Sequence, residues 1–168
     1  LVAIKGVGAG AIEGVIRERE TNGPFRSLYD FIQRCSAGDL NSKVVSSLIK
    51  CGAFDSLGRS RQSLMLSYET LLSSVAEERK HNMEGQLSLF GAGFGDEEEG
   101  IYAEADEYDK RTLLAYEKEA AGMYLTGHPM SEYQKAAEDL GLPTLSEFSP
   151  DEDGMLRLRD GQKITVAG

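Results

Sequence analysis

The sequence predicts a mainly α-helical chain: a small helical domain, a flexible linker, a helical connector, and the truncated start of a β domain. Three observations point there. Apolar residues recur at helical spacing between Ile12 and Val75 and again between Leu113 and Tyr124. The periodicity vanishes from His81 to Gly100, where five glycines and the acidic run Asp96-Glu97-Glu98-Glu99 fall. Near the end, Ile164 and Val166 alternate about Thr165, the pattern of a strand.

The elements follow in order. Ile12, Val15 and Ile16 share one face of a first helix, and Leu28, Phe31 and Ile32 share one face of a second beyond Pro24. Ser27 followed by Asp30 resembles a helix start, in which the Ser oxygen accepts an orphan amide. Val44, Val45, Leu48 and Ile49 form a third apolar face, with Asn41 or Ser42 as its start and Gly52 as its stop. Leu64, Tyr68, Leu71, Leu72 and Val75 make the longest stripe, which runs into the charged turn Glu77-Glu78-Arg79-Lys80. Residues 1–78 are therefore expected to form one helical domain and residues 79–108 a linker. Leu113, Tyr116, Ala120, Met123 and Tyr124, then a short helix from Ser131 to Leu140, make residues 109–142 a helical connector. Residues 143–168 are expected to lead into the first strand of the β domain. The chain begins at Leu1 without an initiator Met and stops inside the alternating pattern, so both ends are expected to be cut from a longer protein.

Composition narrows the function classes. No run approaches the roughly 18–20 apolar residues of a membrane span. Cys35 and Cys51 are the only cysteines and lack metal-site spacing, which suits two buried thiols in a reducing cytoplasm. His81 and His128 lie in different settings, and no shared metal site is expected of them. The formal net charge of −10 is unevenly spread. Residues 1–75 carry nine Lys/Arg against seven Asp/Glu, whereas residues 76–168 carry nine against 21. A mildly basic front and a strongly acidic rear suggest different partners for each.

The most informative front segment is Ile4-Lys5-Gly6-Val7-Gly8-Ala9-Gly10-Ala11-Ile12. A Gly-x-Gly turn opening a helix presents unpaired amides and a partial positive charge, a cradle for one phosphate. The same glycines equally suit a tight turn packed closely on a neighbouring helix. A dinucleotide fingerprint is rejected, because it needs a preceding strand and helical pattern dominates both sides. The segment resembles a helix-hairpin-helix motif, whose turns bind DNA backbone without sequence preference. By that resemblance Lys5, Gly6, Val7, Gly8 and Gly10 face a phosphate. A degenerate second copy is expected at Phe54 to Arg61, with Leu57-Gly58 as the turn and Arg59 and Arg61 beside the phosphate.

In the linker, Gln86-Leu87-Ser88-Leu89-Phe90 is an apolar cluster among glycines. Composition alone allows a hydrophobic turn tucked on its own domain or a short motif that orders in a partner's pocket. The pentapeptide is similar to the one by which bacterial replication and repair proteins bind the sliding clamp. That resemblance puts Gln86 at the pocket rim, Leu89 and Phe90 in the pocket, Leu87 in a shallower contact and Ser88 exposed.

The order of these motifs, followed by Glu117-Lys118-Glu119-Ala120-Ala121-Gly122-Met123-Tyr124-Leu125-Thr126-Gly127-His128-Pro129, resembles the alpha subunits of bacterial DNA polymerase III, the replicative C-family polymerases. The stretches Gly23 to Phe31 and Leu48 to Gly58 resemble the same family. The resemblance implies a segment with a paired hairpin domain on product duplex, an internal clamp-binding motif and the start of an OB-fold. It also implies a cytoplasmic, nucleoid-associated setting, other replisome subunits as partners and no membrane. The Mg²⁺-holding carboxylates of such a polymerase lie upstream, so no catalytic residue, cofactor or metal ligand is expected in this chain. Asp96 to Glu99 are expected to be solvated, Glu117 and Glu119 to lie on a helix surface, and His128 to make a polar contact at a helix end. Two rivals remain: a DNA- and clamp-binding region of a repair protein or replication adaptor, and a pure protein-interaction scaffold.

Overall fold

The computed structural model describes residues 4–35, 40–83, 101–143, 148 and 161–165, with the backbone alone at 81–83. It divides into two units, Leu1–Thr126 and Gly127–Gly168. The first holds helices α1 (Ala9–Asn22), α2 (Leu28–Cys35), α3 (Ser42–Lys50), α4 (Arg61–Met83) and α5 (Lys110–Ala121), with a 3₁₀ turn at Asp55–Leu57. The second holds a 3₁₀ turn at Pro129–Glu132 and α6 (Gln134–Asp139). Among the described residues there is no strand, and none of their helices is long and apolar enough to cross a membrane.

Local chemistry sets the helix starts. Ser27 Oγ accepts from the Asp30 amide at 3.0 Å, and Asn41 Oδ1 from the Val44 amide at 3.0 Å, so both expected caps form. The core is the sum of the apolar faces: Leu28, Tyr29, Phe31 and Ile32 of α2, Val44, Val45, Leu48 and Ile49 of α3, and Leu64, Leu71 and Val75 of α4. At its centre the Phe31 ring meets Phe25 and Phe54 edge-on, at centroid distances of 5.1 and 4.9 Å.

Helix α1 is different, because Ile12 is its one buried residue and Ile16 is exposed. It is pinned at its N-terminal end by Ile4, Val7 and Ile12. At its other end, Arg34 donates to Glu18 Oε1 at 2.9 Å and to the Gly23 carbonyl at 2.9 Å, and stacks over Phe25 at 4.5 Å.

Three features depart from the sequence pattern. The run Glu77-Glu78-Arg79-Lys80 lies within α4, where Glu78 accepts from the Tyr29 hydroxyl at 2.7 Å and Arg79 donates to the Gln33 carbonyl at 2.8 Å. Residues 101–121 join the front unit, with Tyr102 and Ala120 in the common core. Helix α5 buries Leu114 and Glu117, each one position beyond the expected Leu113 and Tyr116, and Ala120 as expected, while Met123 is exposed. In the second unit His128 Nδ1 accepts from the Met130 amide at 3.2 Å, the helix-end contact expected of it. Residues 162–165 show no strand pairing, and Val166 lies outside the described residues.

Candidate nucleic-acid interface

Two turns that open helices carry the candidate interface. The first, Ile4 to Gly8, leads into α1. Gly6 takes a φ of +81°, and a side chain there would lie 2.9 Å from Lys43 Cε. The positive φ favours glycine, since L side chains rarely adopt it. Gly8 precedes α1 in extended conformation and supplies no side-chain cap. The Ala9, Gly10 and Ala11 amides have no acceptor among the described residues, as the first turn of an uncapped helix leaves them. Lys5, Gly6, Gly8 and Gly10 are exposed around this patch.

Val7 differs. Its side chain is buried and its amide donates to the Ile4 carbonyl at 3.2 Å, so it anchors the turn from within. The Lys5 amide also holds the turn, donating to the Ala120 carbonyl at 2.8 Å, which leaves the Lys5 side chain as its outward part. Lys43 is the residue that sequence reasoning missed. It projects from α3 with its aliphatic stem over Gly6, is exposed, and pairs with no carboxylate among the described residues.

The second turn runs from Cys51 to Ser60, between α3 and α4. Leu57-Gly58 does form a turn, with Gly58 left-handed at φ +76° after the 3₁₀ segment. The two arginines expected to flank a phosphate there are otherwise engaged. Arg61 is 3% exposed. It donates to Asp55 Oδ1 and Oδ2 at 2.9 and 2.7 Å, to Glu117 Oε1 at 3.1 Å and to the Lys50 carbonyl at 3.2 Å. Its pKa is raised, chiefly by the bond to Asp55. Arg61 is thus a structural hub, because the second turn brings Asp55 and α5 brings Glu117 onto it. The Arg59 guanidinium lies over the Tyr102 ring at 4.1 Å.

Glu117 is no surface residue either, being 0% exposed. It accepts from the Leu125 and Thr126 amides at 2.6 and 2.9 Å, from the Thr126 hydroxyl at 2.8 Å, and from Arg61. Burial pushes its carboxyl upward, but these donors together outweigh burial and hold it below the ordinary carboxylate value.

The start of α4 is covered by an extended segment, residues 102–107. The Ser60 hydroxyl donates to the Ala105 carbonyl at 2.7 Å, the Ser63 hydroxyl to the Ala103 carbonyl at 2.7 Å, and the Ala103 amide to Ser67 Oγ at 2.8 Å. Glu107 closes the row. Its carboxylate accepts from the Arg61 amide at 2.8 Å and the Gln62 amide at 3.4 Å.

Residues 1–64 match a family described as the helix-hairpin-helix motif. The DNA polymerase III subunit alpha of Escherichia coli K12 is 38% identical over 170 residues, which cover 99% of this chain and 14% of that protein. Its counterpart from Thermus aquaticus is 40% identical over 150 residues, 88% of this chain and 12% of that protein. That of Vibrio cholerae is 34% identical over 168 residues, 99% of this chain and 14% of that protein. The chain is homologous to one segment of the DNA polymerase III alpha subunits. It spans about 14% of the length of the first of these relatives.

The described helices thus contain a helix-hairpin-helix region whose two turns differ. The first leaves its helix amides open beside Lys5 and Lys43; the second has Arg59, Arg61 and the first amides of its helix engaged within the chain. Gln86 to Phe90, the pentapeptide similar to clamp-binding peptides, lies outside the described residues, as does the acidic run Asp96 to Glu99.

Proposed function

We propose that the chain is a non-catalytic segment of a bacterial replicative DNA polymerase, that it holds duplex DNA by the phosphate backbone through its first hairpin, and that Gln86 to Phe90 tether it to the sliding clamp. On this reading nucleotide transfer, the Mg²⁺ that serves it and contacts with other replisome subunits belong to the whole polymerase. The cytoplasm of a bacterium is the setting, and the strand start near Ile164 opens an OB-fold.

The observation that supports DNA holding is the uncapped first turn of α1. Three successive amides and the helix dipole converge there beside two exposed lysines, an arrangement that attracts one phosphate and reads no base. Gly8 has no neighbour within 4 Å of an added side chain and a φ of −72°, so Gly8→Val fills the cradle without straining the fold.

Titration of a mixed-sequence duplex tests the reading. Binding is expected to weaken with salt, with a log–log slope of about −0.9 for each phosphate neutralised. Gly8→Val is expected to weaken it severalfold at unchanged thermal stability. Affinity insensitive to salt, or equal for Gly8→Val and wild type, overturns the reading.

A further inference from the structure

We propose that the Glu107 carboxylate occupies, at the second hairpin, the seat that a DNA phosphate takes at the first, so that the chain grips duplex through one hairpin and not two. This inference rests on the DNA reading above and concerns which turn does the holding.

The two helix starts can be compared amide by amide. At α1 the first three amides, of Ala9, Gly10 and Ala11, have no acceptor among the described residues. At α4 all three are taken. The Arg61 amide donates to Glu107 Oε2 at 2.8 Å, the Gln62 amide to Glu107 Oε1 at 3.4 Å, and the Ser63 amide to Ser60 Oγ at 3.0 Å. A carboxylate that spans two successive helix-start amides presents two oxygens and a negative charge, as a backbone phosphate does.

The segment that delivers it is built to stay. Ser60, just before α4, and Ser63 and Ser67 within it follow one another at spacings of three and four, and each binds the backbone of residues 103–105. Tyr102 anchors the near end, where its hydroxyl accepts from the buried Tyr29 amide at 3.0 Å and its ring carries Arg59. The far end is held at Glu107 itself, whose Oε1 also accepts from the Tyr108 amide at 2.8 Å. Glu104 and Asp106 line the open groove beside Gly58 and Arg59, so the field over this turn opposes a phosphate. An intrachain carboxylate has the further advantage of tethering, because a held segment competes at high effective concentration with any incoming phosphate.

Amide chemical shifts of the 168-residue chain, followed by NMR during titration with a short mixed-sequence duplex, decide between one grip and two. In the wild type, Ala9, Gly10 and Ala11 are expected to shift and Arg61 and Gln62 to stay in place. In Glu107→Ala, with the seat vacated, Arg61 and Gln62 are expected to shift as well. Glu104→Ala removes an equal charge but leaves the seat filled, and is expected to keep them silent.

Movement of Arg61 and Gln62 in the wild type comparable to that of Ala9 and Gly10 overturns the proposal. So does their silence in a folded Glu107→Ala protein. If that variant unfolds, the wild-type titration decides alone: silence at α4 with movement at α1 supports one grip. Absence of any response at α1 defeats the DNA reading instead, and this inference with it.

Discussion

Glu117 draws four donors onto one buried carboxylate, from Arg61, Leu125 and the amide and hydroxyl of Thr126. In this way a charge on α5 binds the start of α4 to the chain that follows α5. Removing one partner of such a pair strands the other in the interior. Glu117→Ala is therefore expected to cost about 3–5 kcal/mol, read from the urea midpoint. The pH dependence has a definite sign. The folded pKa of Glu117 lies below its ordinary value of 4.5, so its contribution is present above that value and is lost as pH falls through the lowered one. Acid titration of stability should show a shallower decline for Glu117→Gln, which has no titrating group there; identical acid profiles would count against this account. Cys35 and Cys51 are unpaired thiols, and burial pushes Cys35 up to about 11, so its thiolate is not favoured at neutral pH.

Among the helices of the first unit, α1 buries the fewest residues, and it carries the candidate interface at its better-held end. Its position depends on Ile4, Val7 and Ile12, with Arg34 fastening the opposite end through Glu18. Ile12→Ala removes the helix's one buried side chain and is expected to cost about 2–5 kcal/mol. It should also weaken DNA binding at temperatures where the protein remains folded, although Ile12 touches no solvent-facing ligand. Full DNA affinity in a folded Ile12→Ala protein would show that the turn is held by other means. The Ser60-Ser63-Ser67 row gives α4 a complementary role, since it fixes the segment that ends in Glu107.

For the molecule as a whole, the proposed reading puts DNA on the basic front and the clamp on a separate stretch of chain in the acidic rear. The pentapeptide test follows from that separation. Burial of Leu89 and Phe90 in an apolar pocket is worth about 1.5–3 kcal/mol each, part of which is lost to ordering a glycine-rich segment. Calorimetric titration of purified sliding clamp is expected to show strong weakening for the combined Leu89→Ala and Phe90→Ala variant. Gln86→Ala should weaken it less, by about 1 kcal/mol for a rim hydrogen bond. DNA binding should survive all of these changes. Equal clamp binding by wild type and the double variant would reduce the cluster to a local hydrophobic contact. On the proposed reading, a duplex held at one hairpin and a clamp held through a short peptide are each modest grips that gain together by effective concentration.

By itself the sequence determined the helices and the first turn. Apolar spacing along α2, α3 and α4, the Ser27 and Asn41 caps and the glycines of Gly6-Val7-Gly8 are local signals, set by residues a few positions apart. Tertiary structure decided what each charged residue does. Arg59 and Arg61 resemble phosphate ligands in the sequence, yet their partners, Tyr102 and Asp55 with Glu117, include residues far along the chain. Glu117 breaks the apolar stripe of α5 because its compensating donors come from α4 and from Leu125 and Thr126. Lys43 and Glu107 meet the two turns only when α3 and the 102–107 segment are folded against them. A hydrophobic face declares itself by period, because burial needs only an apolar neighbour. A charge needs a particular partner at hydrogen-bond distance, and no local pattern in the sequence carries that distance.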